Sequence, residues 1–95
     1  MLTSKQRSVL KGIAAKEDTI LQVGKNGIID TLITQVSDAL KARELVKMSV
    51  LDSSMLNAEE AAGELAEKTK SEVVTVIGNK FVLFKRNPQK PKITF

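Results

Sequence analysis

A loop suited to holding an anion is the feature of this chain with the clearest chemistry. Two glycines enclose a lysine and an asparagine, in the order Gly24, Lys25, Asn26 and Gly27. Glycine lets backbone N–H groups approach an anion because it carries no Cβ, and Lys25 adds a mobile positive charge. A helix that begins after Gly27 would point its unpaired first-turn N–H groups at the same space. The spacing predicts a phosphate-binding loop, in which the glycines shape the backbone, Lys25 and nearby N–H groups hold phosphate, and Asn26 donates or positions.

Two glycines three residues apart are also common in ordinary turns, so the surroundings of the loop have to support this interpretation. The composition excludes most catalytic alternatives. The chain has 95 residues with no cysteine and no histidine, so thiolate nucleophiles and the commonest general base are missing. The loop also lacks the lysine-serine ending of a P-loop, and Asp30 and Asp38 lie two turns apart on a predicted helix. We therefore expect no enzymatic activity, no cofactor and no metal ion.

Charge favours an anionic partner. The net charge is +4 and the sequence pI is about 9.5, and the bases are segregated along the chain. Residues 73–95 contain five bases and no acid, whereas acids outnumber bases between residues 52 and 72. We expect a wider basic surface, although a solvated lysine is the ordinary alternative at each position. Its candidate residues are Lys5, Arg7, Lys11, Lys80, Lys85 and Arg86.

Hydrophobic periodicity predicts three helices and four strands. Thr3 and Gln6 have the spacing of a capping box, and Asn57 and Glu60 repeat it before a stripe of small residues. The Gly78-Asn79 pair suits a tight hairpin between the last two strands. We predict helices from residue 4 to about 16, from about 28 to 41 and from 58 onward, with strands over 19–23, 44–51, 73–77 and 81–84.

The order αβαβαββ predicts a compact α/β (α+β) domain, with a mixed four-stranded sheet packed against three helices. Strand two should place Val46, Met48 and Val50 on one face, opposite Lys47 and Ser49. We assign residues 1–86 to this domain and 87–95 to a basic C-terminal tail that we expect to be mobile. No apolar run reaches the length of a membrane span or a signal peptide, so we expect a cytoplasmic protein.

Three segments together resemble the CRM domain, the chloroplast RNA splicing and ribosome maturation domain, in its stand-alone bacterial YhbY-type form. They are Leu-Thr-Ser-Lys-Gln-Arg at residues 2–7, Val-Gly-Lys-Asn-Gly at 23–27 and Val-Ile-Gly-Asn-Lys-Phe-Val-Leu at 76–83. The resemblance implies a fold similar to the C-terminal domain of a bacterial translation initiation factor. It also implies RNA binding through the GxxG loop and a basic surface, and no catalysis. Relatives often have tyrosine near the end of the last strand, where this chain has Phe84.

The residues and the resemblance agree on a hypothesis of RNA binding. Three Phe with no Tyr or Trp disfavour base-stacking platforms, so we expect recognition of structured RNA through its shape and backbone. KH domains also use GxxG, but between two helices, so their mechanism is only an analogy. The resemblance suggests precursor ribosomal RNA and the assembling large ribosomal subunit as partners, and we expect the protein to be a monomer. The alternative is a protein-binding adaptor on an assembling ribonucleoprotein, with incidental RNA contact.

Overall fold

The computed structural model describes residues 2–87, so nearly all of the predicted tail, residues 88–95, lies outside the described residues. The described part confirms the predicted element order and fold class. Its helices and strands are α1 (Ser4–Ala14), β1 (Leu21–Val23), α2 (Asp30–Arg43), β2 (Leu45–Val50), α3 (Ala58–Thr69), β3 (Glu72–Ile77) and β4 (Lys80–Phe84). None of the helices between residues 2 and 87 has the length and apolar character that crossing a membrane requires.

The four strands form one mixed sheet in the order β1-β2-β4-β3. β1 pairs with β2 in parallel, and β4 runs antiparallel to both β2 and β3. The predicted hairpin between β3 and β4 is confirmed, with Gly78 at φ 59° in its turn. Because β1 and β2 are parallel, the end of β1, the end of β2 and this hairpin turn all lie at the same end of the sheet. We call it the loop end.

Both faces of the sheet are covered by helices. The larger core lies between the sheet and helices α2 and α3, and α1 covers part of the opposite face. The predicted alternation along β2 is confirmed, because Val46, Met48 and Val50 face the larger core. However, Ser49 on the opposite face is only 6% exposed, since β2 has a neighbouring strand on each side and α1 ends nearby. β2, one of the two inner strands, therefore has buried residues on both of its faces, although its sequence alternates.

Local capping signals correctly predict where two of the three described helices begin. Both predicted capping boxes are present, at Thr3 with Gln6 and at Asn57 with Glu60. β2 begins at Leu45, one residue later than predicted, because Glu44 ends α2 with φ 64°. The Glu44 side chain is fully buried, and its carboxylate accepts a hydrogen bond from the Asn87 N–H at 2.6 Å. This contact ties the chain that leaves β4 to the end of α2.

The start of α1 is tied to β3 by hydrogen bonds from two residues. The Leu2 N–H donates to Glu72 Oε2 at 2.8 Å. Arg7 Nη1 donates to the carbonyl of Val73 and, at 3.1 Å, to that of Val74. A β-bulge interrupts the pairing of β3 with β4 at these residues. The Arg7 guanidinium therefore supplies hydrogen-bond donors to backbone carbonyls at the interruption.

The Glu72 carboxyl has a lowered pKa. Partial burial by itself raises this pKa, but hydrogen bonds from the amino-terminal segment, including Leu2, and the positive charges of that segment and of Arg7 outweigh it. The charged carboxylate thus stabilises the folded state. That contribution is complete above the ordinary pKa of 4.5 and is lost as the pH falls through the lower pKa of the folded state.

We therefore predict a pH-dependent effect of Glu72→Gln on stability. The variant should unfold at lower urea concentration than the native chain near pH 7, and this difference should shrink as the pH falls below about 4.5. Urea midpoints measured from pH 7 to pH 3 test this. Glu67→Gln, on the exposed side of α3, corrects for the loss of one surface carboxylate. A difference between native and Glu72→Gln that stays constant with pH would contradict the assignment.

Candidate functional site

The four residues 24–27 form a tight turn at the loop end, directly after β1. The Gly27 N–H donates to the Gly24 carbonyl at 3.0 Å, which closes the turn. Gly27 has φ 70°, a conformation that favours glycine. The Gly27 N–H is thus engaged within the turn, which leaves the other backbone N–H groups of the loop as the donors that an anion would meet.

The two glycines have different structural roles. Gly24 is not among the described residues with positive φ, and a Cβ placed on it would meet Leu51 Cδ1 at 3.8 Å, an ordinary contact. Gly27 has space around it but a backbone conformation that strains other residues. The loop backbone therefore favours glycine at position 27, whereas position 24 is compatible with a larger residue.

Lys25 and Asn26 occupy the tip of the turn, and both are exposed. The Lys25 ammonium and the Asn26 amide make no hydrogen bond or ion pair with any residue from 2 to 87. A positive charge and an amide donor therefore face solvent together without having to break a structural contact to bind a ligand. This is the chemistry that the sequence predicts for the phosphate-binding loop.

The helix that follows begins at Asp30, three residues after Gly27. Its N-cap is Ile29, and among the described residues no side chain accepts a hydrogen bond from its first turn, whereas Thr3 and Asn57 cap the other two helices. The first-turn N–H groups of α2 thus remain available to donate hydrogen bonds to an incoming acceptor. Asp30 is exposed in the same turn, and its negative charge works against an anion there.

A shallow groove of about 220 Å³ lies between the loop and the first two turns of α2. Lys25 is the charged residue among those that line it, and the rest supply amide, hydroxyl and apolar groups. The remaining lining residues are Gln22, Gly24, Asn26, Gly27, Ile29, Thr31, Leu32 and Gln35. The groove suits an anion carried on a larger partly polar molecule better than it suits a small isolated ion.

The structure separates the six predicted basic-surface residues into three groups: Lys80 at the loop end, Lys85 and Arg86 at the opposite end of the sheet, and three residues on α1. Lys80 lies at the loop end, because it starts β4 and pairs with Ser49. Beside it, the Asn79 carbonyl accepts from the Val50 N–H at 2.7 Å, and the Leu51 N–H donates to the Val23 carbonyl at 2.9 Å. These bonds hold the hairpin turn and the end of β1 against the same stretch of β2, so that Lys80 and the GxxG loop share one end of the molecule.

Lys85 and Arg86 lie at the opposite end, after β4, roughly 20 Å away by the rise of an extended strand. There they line a cavity with Leu2 and Gln6 from the start of the chain, and Glu72 lines it too. The Lys85 ammonium donates to the Thr69 carbonyl at 3.1 Å, at the end of α3. This cluster is therefore mixed in charge, and Lys85 has a structural role.

The three remaining candidates lie on α1. Lys5 and Lys11 are exposed, but Arg7 is half-buried and bound to β3 carbonyls. Sequence reasoning did not single out the exposed apolar residues of the loop end, which include Ile29, Leu51 and Ile77 at 45%, 39% and 71% exposure. Nothing in the sequence marks them, because apolar residues at strand and helix ends usually enter the core.

Comparison with known proteins places this geometry in a family context. Residues 2–85 match the family described as the CRS1 / YhbY (CRM) domain. The "Probable RNA-binding protein YqeI" of Bacillus subtilis is 40% identical over 93 residues, which cover 98% of this chain and 97% of that protein. An "RNA-binding protein" of Haemophilus influenzae is 27% identical over 84 residues, covering 88% and 85% of the two chains.

A solved structure is similar over nearly the whole chain. The solution structure of the hypothetical protein SAV1595 from Staphylococcus aureus shares 39% sequence identity with this chain. The match covers 99% of this chain and 98% of that one, with a TM-score of 0.82. The predicted element order, the sheet and the three helices therefore agree with an experimentally determined relative.

The different roles of the two glycines give a direct prediction. Gly27→Ala should lower the free energy of unfolding by about 1 kcal/mol, because alanine is strained at positive φ. Gly27→Asn should lower it less, since asparagine tolerates this conformation better. Gly24→Ala, the matched change three residues away, should leave stability close to native. Urea unfolding of the three variants measures this, and equal losses at both positions would show that the assigned loop conformation is wrong.

Proposed function

Because the chain belongs to the CRS1 / YhbY (CRM) domain family, we propose that it binds structured RNA through the loop formed by residues 24–27. The observation that carries this proposal is the exposed pair Lys25 and Asn26 at the tip of a tight turn, beside a helix start that has no side-chain cap. A backbone phosphate of RNA supplies the negative charge and the acceptor oxygens that this arrangement lacks.

The binding that we propose depends on backbone and shape rather than on base stacking. Phe81 and Phe84 are 1% and 5% exposed and belong to the two cores, so within residues 2–87 they offer no platform for bases. Phosphate contacts from lysine carry little sequence information and weaken as salt concentration rises. The protein should therefore prefer folded RNA and discriminate little among base sequences.

Three exposed lysines extend the proposed surface beyond the loop. Lys80 shares the loop end, and Lys5 and Lys11 offer charge along α1. We assign Arg7, Lys85 and Arg86 a smaller part, because Arg7 and Lys85 bind backbone carbonyls and Arg86 is also engaged within the protein. On this proposal the loop end leads the contact with RNA, and α1 adds long-range attraction.

The partner that we propose is ribosomal RNA in precursors of the large subunit, bound by a monomer in the cytoplasm. The support for this partner is the resemblance of the loop and strand motifs to the stand-alone bacterial form of the family. The role is binding rather than catalysis, in keeping with relatives that are named RNA-binding proteins. A basic chain of this size would accompany such RNA through phosphate contacts during assembly.

A matched pair of charge reversals tests the loop. Lys25→Asp should weaken binding to a structured ribosomal RNA fragment by about tenfold or more. It should also make the negative slope of log affinity against log salt concentration shallower by about 1. Lys68→Asp makes the same charge change on α3, among exposed glutamates, and should have a much smaller effect. Filter binding or fluorescence anisotropy at low and moderate salt measures both, after circular dichroism has shown that both variants fold.

The outcomes separate the alternatives. Equal weakening by both reversals would mean that net charge alone drives association, and the loop would lose its assigned role. No RNA binding by the native chain would reject the proposal, and would favour the adaptor that contacts protein on an assembling ribonucleoprotein. Retention of binding to ribonucleoprotein particles after ribonuclease treatment would point the same way.

A further inference from the structure

One row of residues crosses all four strands at the loop end. Backbone pairing places Gln22 beside Ser49, Ser49 beside Lys80, and Lys80 beside Ile77. Residues paired across neighbouring strands point to the same face of a sheet. Phe81, the next residue after Lys80, is buried in the core under α2 and α3, so the row faces the opposite way, toward the side that carries α1. We call it the cross-strand row.

Helix α1 covers the other half of this face and stops short of the row. Its buried residues pack with Leu45, Val74, Val82 and Phe84. The helix ends at Ala14, whose carbonyl accepts from Lys47 Nζ at 3.4 Å, and Lys47 precedes Ser49 by two residues on the same face. Beyond that point Gln22 and Lys80 are exposed, and Ile77 is 71% exposed. Ser49 forms the floor between them.

The open part of the face combines positive charge with apolar surface. A groove of about 140 Å³ lies next to the row, and none of the acidic residues between positions 2 and 87 lines it. Its lining residues are Lys47, Thr75, Ile77, Lys80, Phe81 and Val82. A partner that fits here carries negative charge and also presents a face that tolerates apolar contact.

The row is continuous with the GxxG loop. Gln22 belongs to the row and also lines the groove beside Lys25. From Gln22 to Ile77 the row spans three strand spacings, or about 14 Å. A chain that leaves the loop along the row therefore meets a polar amide, then the Lys80 ammonium and then the Ile77 side chain.

We propose that the RNA strand bound at Lys25 continues across the cross-strand row. Lys80 then binds a phosphate further along that strand, and Ile77 packs against a ribose or the face of a base. This inference rests on the proposed function and extends its site from a single loop to a path across the sheet. RNA fits the row better than an acidic peptide does, because a sugar-phosphate chain alternates charge with less polar surface and the path begins at a phosphate-binding turn.

Two exposed positions allow a test that leaves the core unchanged. Lys80→Gln should weaken binding to the structured ribosomal RNA fragment about fivefold and reduce the salt slope by about 1. Ile77→Ser should weaken binding about threefold through lost apolar contact, with no change in the salt slope. Met55→Ser is the matched control, since Met55 is 95% exposed in the loop between β2 and α3 and lies outside the row. It should bind RNA as the native chain does.

The Lys25→Asp variant, measured in the same titrations, separates failure of this inference from failure of the proposed function. If Lys25→Asp weakens binding but Lys80→Gln and Ile77→Ser bind as tightly as the native chain, the inference is overturned and the loop assignment stands. Equal weakening by Ile77→Ser and Met55→Ser would also overturn it, because any exposed apolar residue would then matter. If the native chain binds no RNA, the proposed function and the inference fail together.

Discussion

The central position of β2 is the constraint on which the rest of the structure depends. This strand pairs with β1 on one side and β4 on the other, and helices approach both of its faces. The carboxyl end of β2 holds two turns in place, the GxxG turn after β1 and the hairpin turn before β4. The Leu51 N–H donates to the Val23 carbonyl, and the Val50 N–H donates to the Asn79 carbonyl. The GxxG turn and the β-hairpin are thus held at one end of the sheet by backbone hydrogen bonds to the same end of β2.

Several cations of this basic chain serve the fold. Arg7 binds carbonyls at the β3 bulge, Lys47 binds the last carbonyl of α1, and Lys85 binds the last carbonyl of α3. Each contact satisfies acceptors that a helix end or a bulge leaves open, and two of them also oppose a helix dipole favourably. The net charge therefore overstates the charge that a partner can meet. Lys25 and Lys80 are both exposed and extend from the same end of the sheet.

Much of the fold could be read from local patterns. Three features depend on interactions within a few residues, so short sequence patterns predict them. They are the capping boxes, the Gly78-Asn79 hairpin and the alternation in β2. The limits of β1 and α1 were overestimated, since Thr19, Ile20 and residues 15–16 lie outside the regular elements. Strand ends depend on where a partner strand stops, and β1 pairs with three residues of β2. The separate roles of Gly24 and Gly27 likewise depend on backbone angles that glycine spacing does not specify.

By itself the sequence determined the element order, the helix caps and the turn that presents Lys25 and Asn26, because each of these depends on neighbouring residues along the chain. The tertiary structure decided which basic residues share a surface. Lys80 lies at the loop end, whereas Lys85 and Arg86 lie at the opposite end of the sheet and Arg7 donates hydrogen bonds to β3. The tertiary structure also left Ile77 exposed beyond the end of α1. These outcomes follow from strand order and register, which pair residues far apart in sequence and are set by burial of the whole core.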